Sequence, residues 1–308
     1  MTTFNDWIEK VWRRVYSGSA DSTVQLSNDI GASDTTISVT PNTSNAMRVG
    51  ARLSIDLEVL YVVSWDPNTG NAGVVRGHEG STAAIHSANE LVYIQPIYTR
   101  FDVAVALNDE LLRLSSPDNG LFQVKAQTFT YNPVYMGYDL SQAVNDEFID
   151  IMEIRYKIPF PTRNYPAVHK GKWKVLRNIP DSGVFPSGVG LVIYEGGYPG
   201  QPVYAQYSCA FNTVDVSTSA NLTVDVAGLT GMTGTMVDIP PLGAEIQLTI
   251  PHEIRRNFMA VQPDPRKAPE VPSLAVSNSV QALMMTYEQR ISEEAARLQR
   301  QYTVVEGW

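Results

Sequence analysis

Along the chain, apolar residues alternate between a helical and a strand spacing, and this divides the sequence into segments. In residues 4–16, Trp7, Ile8, Val11, Trp12 and Val15 share one helical face, and Glu9, Lys10, Arg13 and Arg14 share the other. Two tryptophans beside basic residues suit a membrane-surface helix. So short a helix is marginal alone, and docking on the protein or on a neighbour is the expectation. Trp7 and Trp12 are the candidate subunit-interface residues. From Gly18 to about Pro96 the period falls to two. Strands are predicted at 36–39, 52–55, 59–63, 72–75 and 91–94, separated by turns rich in Gly, Asn and Asp. Strands about ten residues apart predict a small barrel or sandwich.

Residues 99–115 return to the helical period, with Ala104, Leu107, Leu111 and Leu114 in a stripe and a Thr99/Asp102 capping pair at the start. A second β-rich stretch runs from Phe148 to about Val226, with strands predicted at 148–154, 190–194 and 203–207. Helix resumes from Ile239 toward Phe258. Pro251 should break or kink it, because an interior proline costs about 3 kcal/mol. Four prolines between Gln262 and Pro272 predict an extended strap. The final helix, from about Ser277, carries Val280, Leu283, Met284, Tyr287, Ile291, Leu298 and Tyr302 on one side. Ser277, Asn278 and Ser279 are its candidate caps. Gln289, Arg290, Glu293, Arg297 and Arg300 form a face turned to solvent or to a charged partner. The tail Thr303-Val304-Val305-Glu306-Gly307-Trp308 is apolar. It either folds back over the helix or has a receiver elsewhere.

This order predicts an α+β chain: an α-helical bundle with two β-rich insertions (barrel or sandwich) and a long C-terminal helix with an extended tail. The divisions are an N-terminal amphipathic helix (1–17), a β module (18–98), a bundle helix and connection (99–145), a β-sandwich insertion (146–235), completing helices (236–302) and a docking tail (303–308).

The 308 residues, 44% apolar and 18% charged, bury a sizeable core. The net charge of −9 and the lack of a basic block argue against a nucleic-acid groove, although a local basic ring in an oligomer escapes that test. Cys209 is the only cysteine, which excludes an internal disulfide and a multi-cysteine zinc site. Its apolar neighbours predict a buried thiol. No signal peptide is read at the start, and no apolar run reaches the ~18 residues of a membrane span.

Candidate chemistry is sparse. The four histidines, His78, His86, His169 and His252, make no ligand motif, so no metal or cofactor is expected. Asp146-Glu147 and Glu195 are carboxylates in turn-like surroundings, where solvated groups are the common case. The stretch Val75-Arg76-Gly77-His78-Glu79-Gly80-Ser81-Thr82 lacks the Lys-Ser/Thr ending of a phosphate loop. Ser187 lacks the flanking glycines of a nucleophile elbow, since Phe185 and Val189 stand there. No catalytic residue is assigned, and no enzyme is expected.

Several turns carry a resemblance. Ile30-Gly31-Ala32-Ser33-Asp34-Thr35-Thr36-Ile37, the 50–58 strand pair with Ile55-Asp56-Leu57-Glu58, and Val75 through His86 together resemble a β module of tailed-bacteriophage virion proteins. Leu107-Asn108-Asp109-Glu110-Leu111, Ile239-Pro240-Pro241-Leu242-Gly243-Ala244, Arg255-Arg256-Asn257-Phe258 and 290–298 resemble a head-to-tail connector, or neck adaptor. The resemblance is one of texture over most of the chain, without an invariant signature.

The resemblance implies a ring, typically of twelve copies, joining the portal protein to the next neck or tail protein. It implies assembly in the host bacterial cytoplasm, a place in the virion neck, non-specific passage of genomic DNA and no membrane. It makes Val304, Val305 and Trp308 portal-binding residues, with Arg297, Arg300 and Tyr302 at the mouth of the groove. Simple adaptors are smaller and mostly helical, so the two β modules leave open a stopper, another tail ring or a baseplate part. A tail-associated carbohydrate-binding module is the other alternative, presenting Trp173, Tyr194, Tyr198 and Tyr204.

Overall fold

The computed structural model describes residues 1–15, 22–40, 46–116, 118–134, 137–140, 148–157, 167–180, 183–194, 198–232, 234–261 and 273–302, with backbone alone for 251–261 and 273–279. The proline strap at 262–272, the Asp146-Glu147 pair, Glu195 and the 303–308 tail lie outside the described residues. The described chain is mixed α+β, with five α-helices, one of them C-terminal, and antiparallel sheets. It divides into two compact units: Met1–Leu111 with Thr213–Arg290, and Leu112–Asn212 with the chain from Ile291.

In the first unit, helix α1 (Phe4–Val15) opens with a reciprocal cap. The Thr3 N–H donates to Asp6 Oδ2 at 2.8 Å, and the Asp6 N–H donates to Thr3 Oγ1 at 3.2 Å. Hydrogen bonds to the Asp6 carboxyl from the Thr3 backbone N–H, and then from the Thr3 side chain, favour its ionised form and lower its pKa. The predicted Thr99/Asp102 cap forms the same pair of bonds, 2.7 and 3.0 Å, at the start of α2 (Arg100–Leu114).

A six-stranded antiparallel sheet lies between these helices in sequence. Its strands are β1 (Ser22–Gln25), β2 (Thr36–Ser38), β3 (Arg52–Ile55), β4 (Glu58–Asp66), β5 (Asn71–Val75) and β6 (Leu91–Ile94), in the order β1-β6-β3-β4-β5-β2. A bridge between Leu26 and Val39, just past the ends of β1 and β2, joins the two edges, so the sheet curls on itself. Leu26, Ile37, Val39, Leu53, Ile55, Leu60, Val62, Val74, Val92 and Ile94 fill its interior. They alternate with outward residues, as one buried face requires. Between Val62 and Ser64 the register slips, which leaves Val63 as an extra, outward residue.

The remaining helices of this unit are α3 (Val226–Thr230), α4 (Ile239–Val261) and most of α5 (Ser273–Gln301). Two expectations are corrected here. Helix α4 continues through Pro251 as one element, which corrects the break but not the alternative of a kink, and α5 begins four residues before Ser277. Ser277, Asn278 and Ser279 therefore lie inside α5 and do not cap it. Helix α1 packs on α4, and Arg14 pairs with Glu245 at 2.8 Å. Helices α2, α4 and α5 meet at Glu110, which is only 2% exposed. Its carboxylate accepts the Tyr287 hydroxyl and occupies the space a side chain at Gly243 would need.

The second unit holds two three-stranded antiparallel sheets. One has the order β7 (Gln123–Thr130), β12 (Pro202–Cys209), β9 (Phe148–Tyr156); the other has β10 (Trp173–Leu176), β11 (Gly190–Ile193), β8 (Tyr138–Asp139). A single cluster draws on both, with Ile151, Ile154, Val203, Ala205 and Tyr207 from one and Tyr138 and Leu191 from the other. Cys209 is fully buried in it, as expected. Strands β7 and β8 fall in the connection expected to follow the 99–115 helix, where no strand was assigned. Residues 219–230 hold helical turns where the β-sandwich was expected to continue. Strand β7 has a weak sequence signal because its less exposed set, Gln123, Lys125, Gln127 and Phe129, is mostly polar.

Candidate functional site

Two places concentrate functional chemistry: the C-terminal helix and a buried charged cluster in the curled sheet. From Gln281 onward α5 buries one narrow seam, Tyr287, Ile291, Glu294 and Leu298, at spacings of four, three and four. Met284 and Met285 are 41% and 64% exposed. Arg290, from the expected solvent face, instead bonds Asp238 in the same unit at 3.1 and 3.3 Å and the Thr235 carbonyl at 3.1 Å. Beside it, a cleft of about 400 Å³ is lined by Asp6, Trp7, Lys10, Asp238 and Arg290.

The expected portal-binding residues divide. Arg297 bonds Glu294 at 2.6 Å, one turn back on its own helix. Arg300 is exposed, and Tyr302 is half-buried, with its N–H on the Leu298 carbonyl. Val304, Val305 and Trp308 lie outside the described residues. Trp7 and Trp12 are corrected from interface to core. They are 1% and 9% exposed, and the Trp12 ring meets Tyr93 edge-on at 4.8 Å with the Arg100 guanidinium 5.6 Å above it. A 12-residue amphipathic helix is stable only with its apolar stripe covered, and this chain supplies the cover itself.

The charged cluster gathers residues that are remote in sequence. Glu58 opens β4, and its side chain is fully buried. Arg76 lies against it as a fork, with Nε to Oε1 at 2.7 Å and an Nη2 hydrogen to Oε2 at 2.8 Å. The remaining Arg76 hydrogens reach the carbonyls of Gly31 (2.6 Å), Asp34 (3.1 Å) and Ala84 (2.6 Å). All five donors of the guanidinium are thereby used. Glu58 also accepts the N–H groups of Gly77 (3.2 Å) and Ala84 (3.1 Å) and faces His86 Nε2 at 2.8 Å. Ser81 completes the cluster by accepting the Val59 N–H at 2.9 Å. Gly77 sits at φ 60°, and a side chain there would press on the Ser81 carbonyl. The glycine-punctuated 75–82 stretch is thus a lock that fastens a long turn onto β4.

Burial pushes the Glu58 carboxyl up. Hydrogen bonds from Arg76, His86 and Ala84 and the charge of Arg76 outweigh burial and hold it at about 2, against an ordinary 4.5. A carboxyl depressed by folding contributes stability above its ordinary pKa and loses it as pH falls toward the folded value. Acid titration of stability should therefore show a loss on the order of 3 kcal/mol between about pH 4.5 and 2, absent in Glu58→Gln. Equal slopes for the two proteins in that window would contradict the pairing.

Next to the lock, Asp56, His86 and Glu90 bring one ligand-type atom each to within 4.8 Å of one another. Elsewhere, Ser187 donates its hydroxyl to Asp139 Oδ1 at 2.5 Å, and its Oγ accepts the Val189 N–H at 3.2 Å, as a turn clasp does. His169 accepts the Gly171 N–H at 3.1 Å. The tyrosines considered for sugar stacking are exposed, Tyr194 by 63% and Tyr198 by 79%. Trp173 packs against the core of the second unit.

No protein-family model matches the chain, and none of the curated proteins does. Among the described residues, no helix is long and apolar enough to cross a membrane.

Sequence reasoning missed the lock because Glu58, Arg76 and His86 are 18 and 28 positions apart, with no local period to expose them. The one available signal was a lone Glu at the start of an apolar strand, Glu58-Val59-Leu60. A carboxylate there needs a buried partner.

Proposed function

We propose that the chain is a structural virion protein, a head-to-tail connector subunit whose copies close a ring between the portal vertex and the tail of a tailed bacteriophage. In this reading the helices are an α-helical bundle around the DNA channel. The curled sheet is a small barrel and the paired sheets are a sandwich, both inserted in that bundle. The ring needs no catalytic residue and no cofactor. It works by interlocking surfaces, with the portal protein on one side and the next neck or tail protein on the other.

The observation that carries the reading is the C-terminal helix. It has 29 residues and is about 43 Å long at 1.5 Å per residue. Only four positions among residues 281–301 are buried, and the exposed Met284 and Met285 give the helix an apolar outer surface. Arg300, Tyr302, Val304, Val305 and Trp308 then form the portal-binding end. Arg297 contributes from its pairing with Glu294. Burying one large apolar side chain is worth about 1.5–3 kcal/mol, and closure of a ring multiplies such contacts by avidity.

The test is co-sedimentation with portal rings. The full chain should attach, and a chain ending after Tyr302 should attach at least tenfold more weakly. Equal attachment of the two would remove the tail from the mechanism.

Exposed Tyr194, Tyr198 and Tyr204 favour a second reading, a tail-associated carbohydrate-binding module. Glycan binding by the full chain that is lost on changing Tyr194 and Tyr198 to Ala would support it.

A further inference from the structure

We propose that Asp56, His86 and Glu90 form a binding site for one divalent cation of the zinc class. Each ligand is held by backbone that the fold already fixes. Asp56 occupies the two-residue turn between β3 and β4 at φ 47°, a left-handed position that Asp tolerates better than most residues. His86 is clamped by a reciprocal bridge to Ile30, with backbone bonds of 2.9 and 3.0 Å. Glu90 is tethered through Oε1, which accepts the Ser87 N–H at 2.9 Å, while Oε2 lies 3.0 Å from His86 Nδ1.

The independent sign of a ligand site is the far side of the imidazole. His86 is buried, and its Nε2 faces Glu58 Oε2 at 2.8 Å. Glu58 is itself held by Arg76. A carboxylate behind a histidine fixes the ring's orientation and tautomer and raises its basicity as a ligand, as in carboxylate–histidine–metal sites. With the Nε2 hydrogen donated to Glu58, the Nδ1 lone pair faces Glu90 Oε2.

Bonds of about 2.1 Å to a tetrahedral ion place its ligand atoms about 3.4 Å apart. The trio lies within 4.8 Å, so a rotation of the half-buried Asp56 and Glu90 carboxylates closes the site. Water fills the fourth position. Two carboxylates and a neutral imidazole carry two negative charges, which a divalent ion balances. The nitrogen ligand separates this site from calcium and magnesium sites, which are built from oxygen. The competing occupant is a proton, since an imidazolium would donate to Glu58 and Glu90 at once.

Untagged full-length protein, stripped with a chelator, would be titrated with zinc chloride in a calorimeter while the His86 ring nitrogens are followed by ¹⁵N NMR. We expect one zinc ion per chain, and binding weakened at least tenfold by Asp56→Asn and by Glu90→Gln. A hundredfold excess of magnesium should not compete. On saturation, the Nδ1 resonance should move to the range of a metal-bound nitrogen while Nε2 keeps its hydrogen. Zinc uptake unchanged in the Asp56→Asn/Glu90→Gln double variant would overturn the site, because it would place the ion on His78, His169 or His252. So would Nδ1 keeping its hydrogen at saturating zinc, which would make the cluster an imidazolium ion pair.

Discussion

Replacing Arg76 with Met is expected to destabilise the protein by about 3–5 kcal/mol, the cost of leaving a buried carboxylate without its counter-ion. A surface ion pair would contribute less than about 1 kcal/mol. Arg76 differs because Glu58 is fully buried and both its oxygens lie in the guanidinium fork. The same change strands the carbonyls of Gly31, Asp34 and Ala84, so the turn from Arg76 to His86 should loosen from β4 as well. Urea denaturation measures the first effect and amide exchange across 76–86 the second. The double variant Arg76→Met/Glu58→Gln should recover part of the loss, since the orphaned charge is gone while the carbonyls remain unpaired. A loss below about 1 kcal/mol for Arg76→Met alone would mean that the pair is not buried in solution.

Gly243→Ala should also destabilise, by about 3 kcal/mol, against the usual direction for this exchange. In an exposed helix interior, alanine is favoured over glycine by about 1 kcal/mol. At Gly243 the added Cβ would fall within the Glu110 carboxyl group, which is buried and holds the Tyr287 hydroxyl. Either the helices part, at about 1–3 kcal/mol for overpacking, or Glu110 moves and loses a charged hydrogen bond worth about 1.5–3 kcal/mol. Adding Glu110→Ala removes the obstruction, so the two changes together should cost less than the sum of each alone. Thermal unfolding of the two single variants and the double variant gives the coupling. Strict additivity would separate Gly243 from Glu110.

Much of the fold was legible because its elements have strong periods. The helices at 4–15, 100–114, 239–261 and 273–301 each carry an apolar stripe, and β3, β5 and β6 show apolar residues bounded by turn residues. The Thr99/Asp102 cap was legible too, because capping is local chemistry at a fixed offset. What failed depended on tertiary context. Pro251 sits inside α4, although an interior proline carries a local cost of about 3 kcal/mol. Glu294, which the helical period placed on neither face, is buried in the α5 seam beside Arg297. Trp7 and Trp12 looked like an interface because an amphipathic stripe does not say which surface covers it. The charged cluster was the least legible, since its members meet only through the β4–β5 pairing and the Ile30–His86 bridge. The resemblance to a β module of phage virion proteins rests on several of the same residues, Ile55-Asp56-Leu57-Glu58 and Arg76 through His86. A stretch can therefore be recognisable because it locks a turn, whatever the protein carrying it does.

A connector subunit of the proposed kind closes a ring with its copies against a portal. The most direct measurement is the mass and symmetry of the purified protein, by light scattering and negative-stain imaging, with and without portal rings. The expected result is a closed ring, either in solution or formed only on the portal, with about twelve subunits. A monomer or trimer indifferent to the portal would contradict it and direct attention to the exposed tyrosines of the second unit.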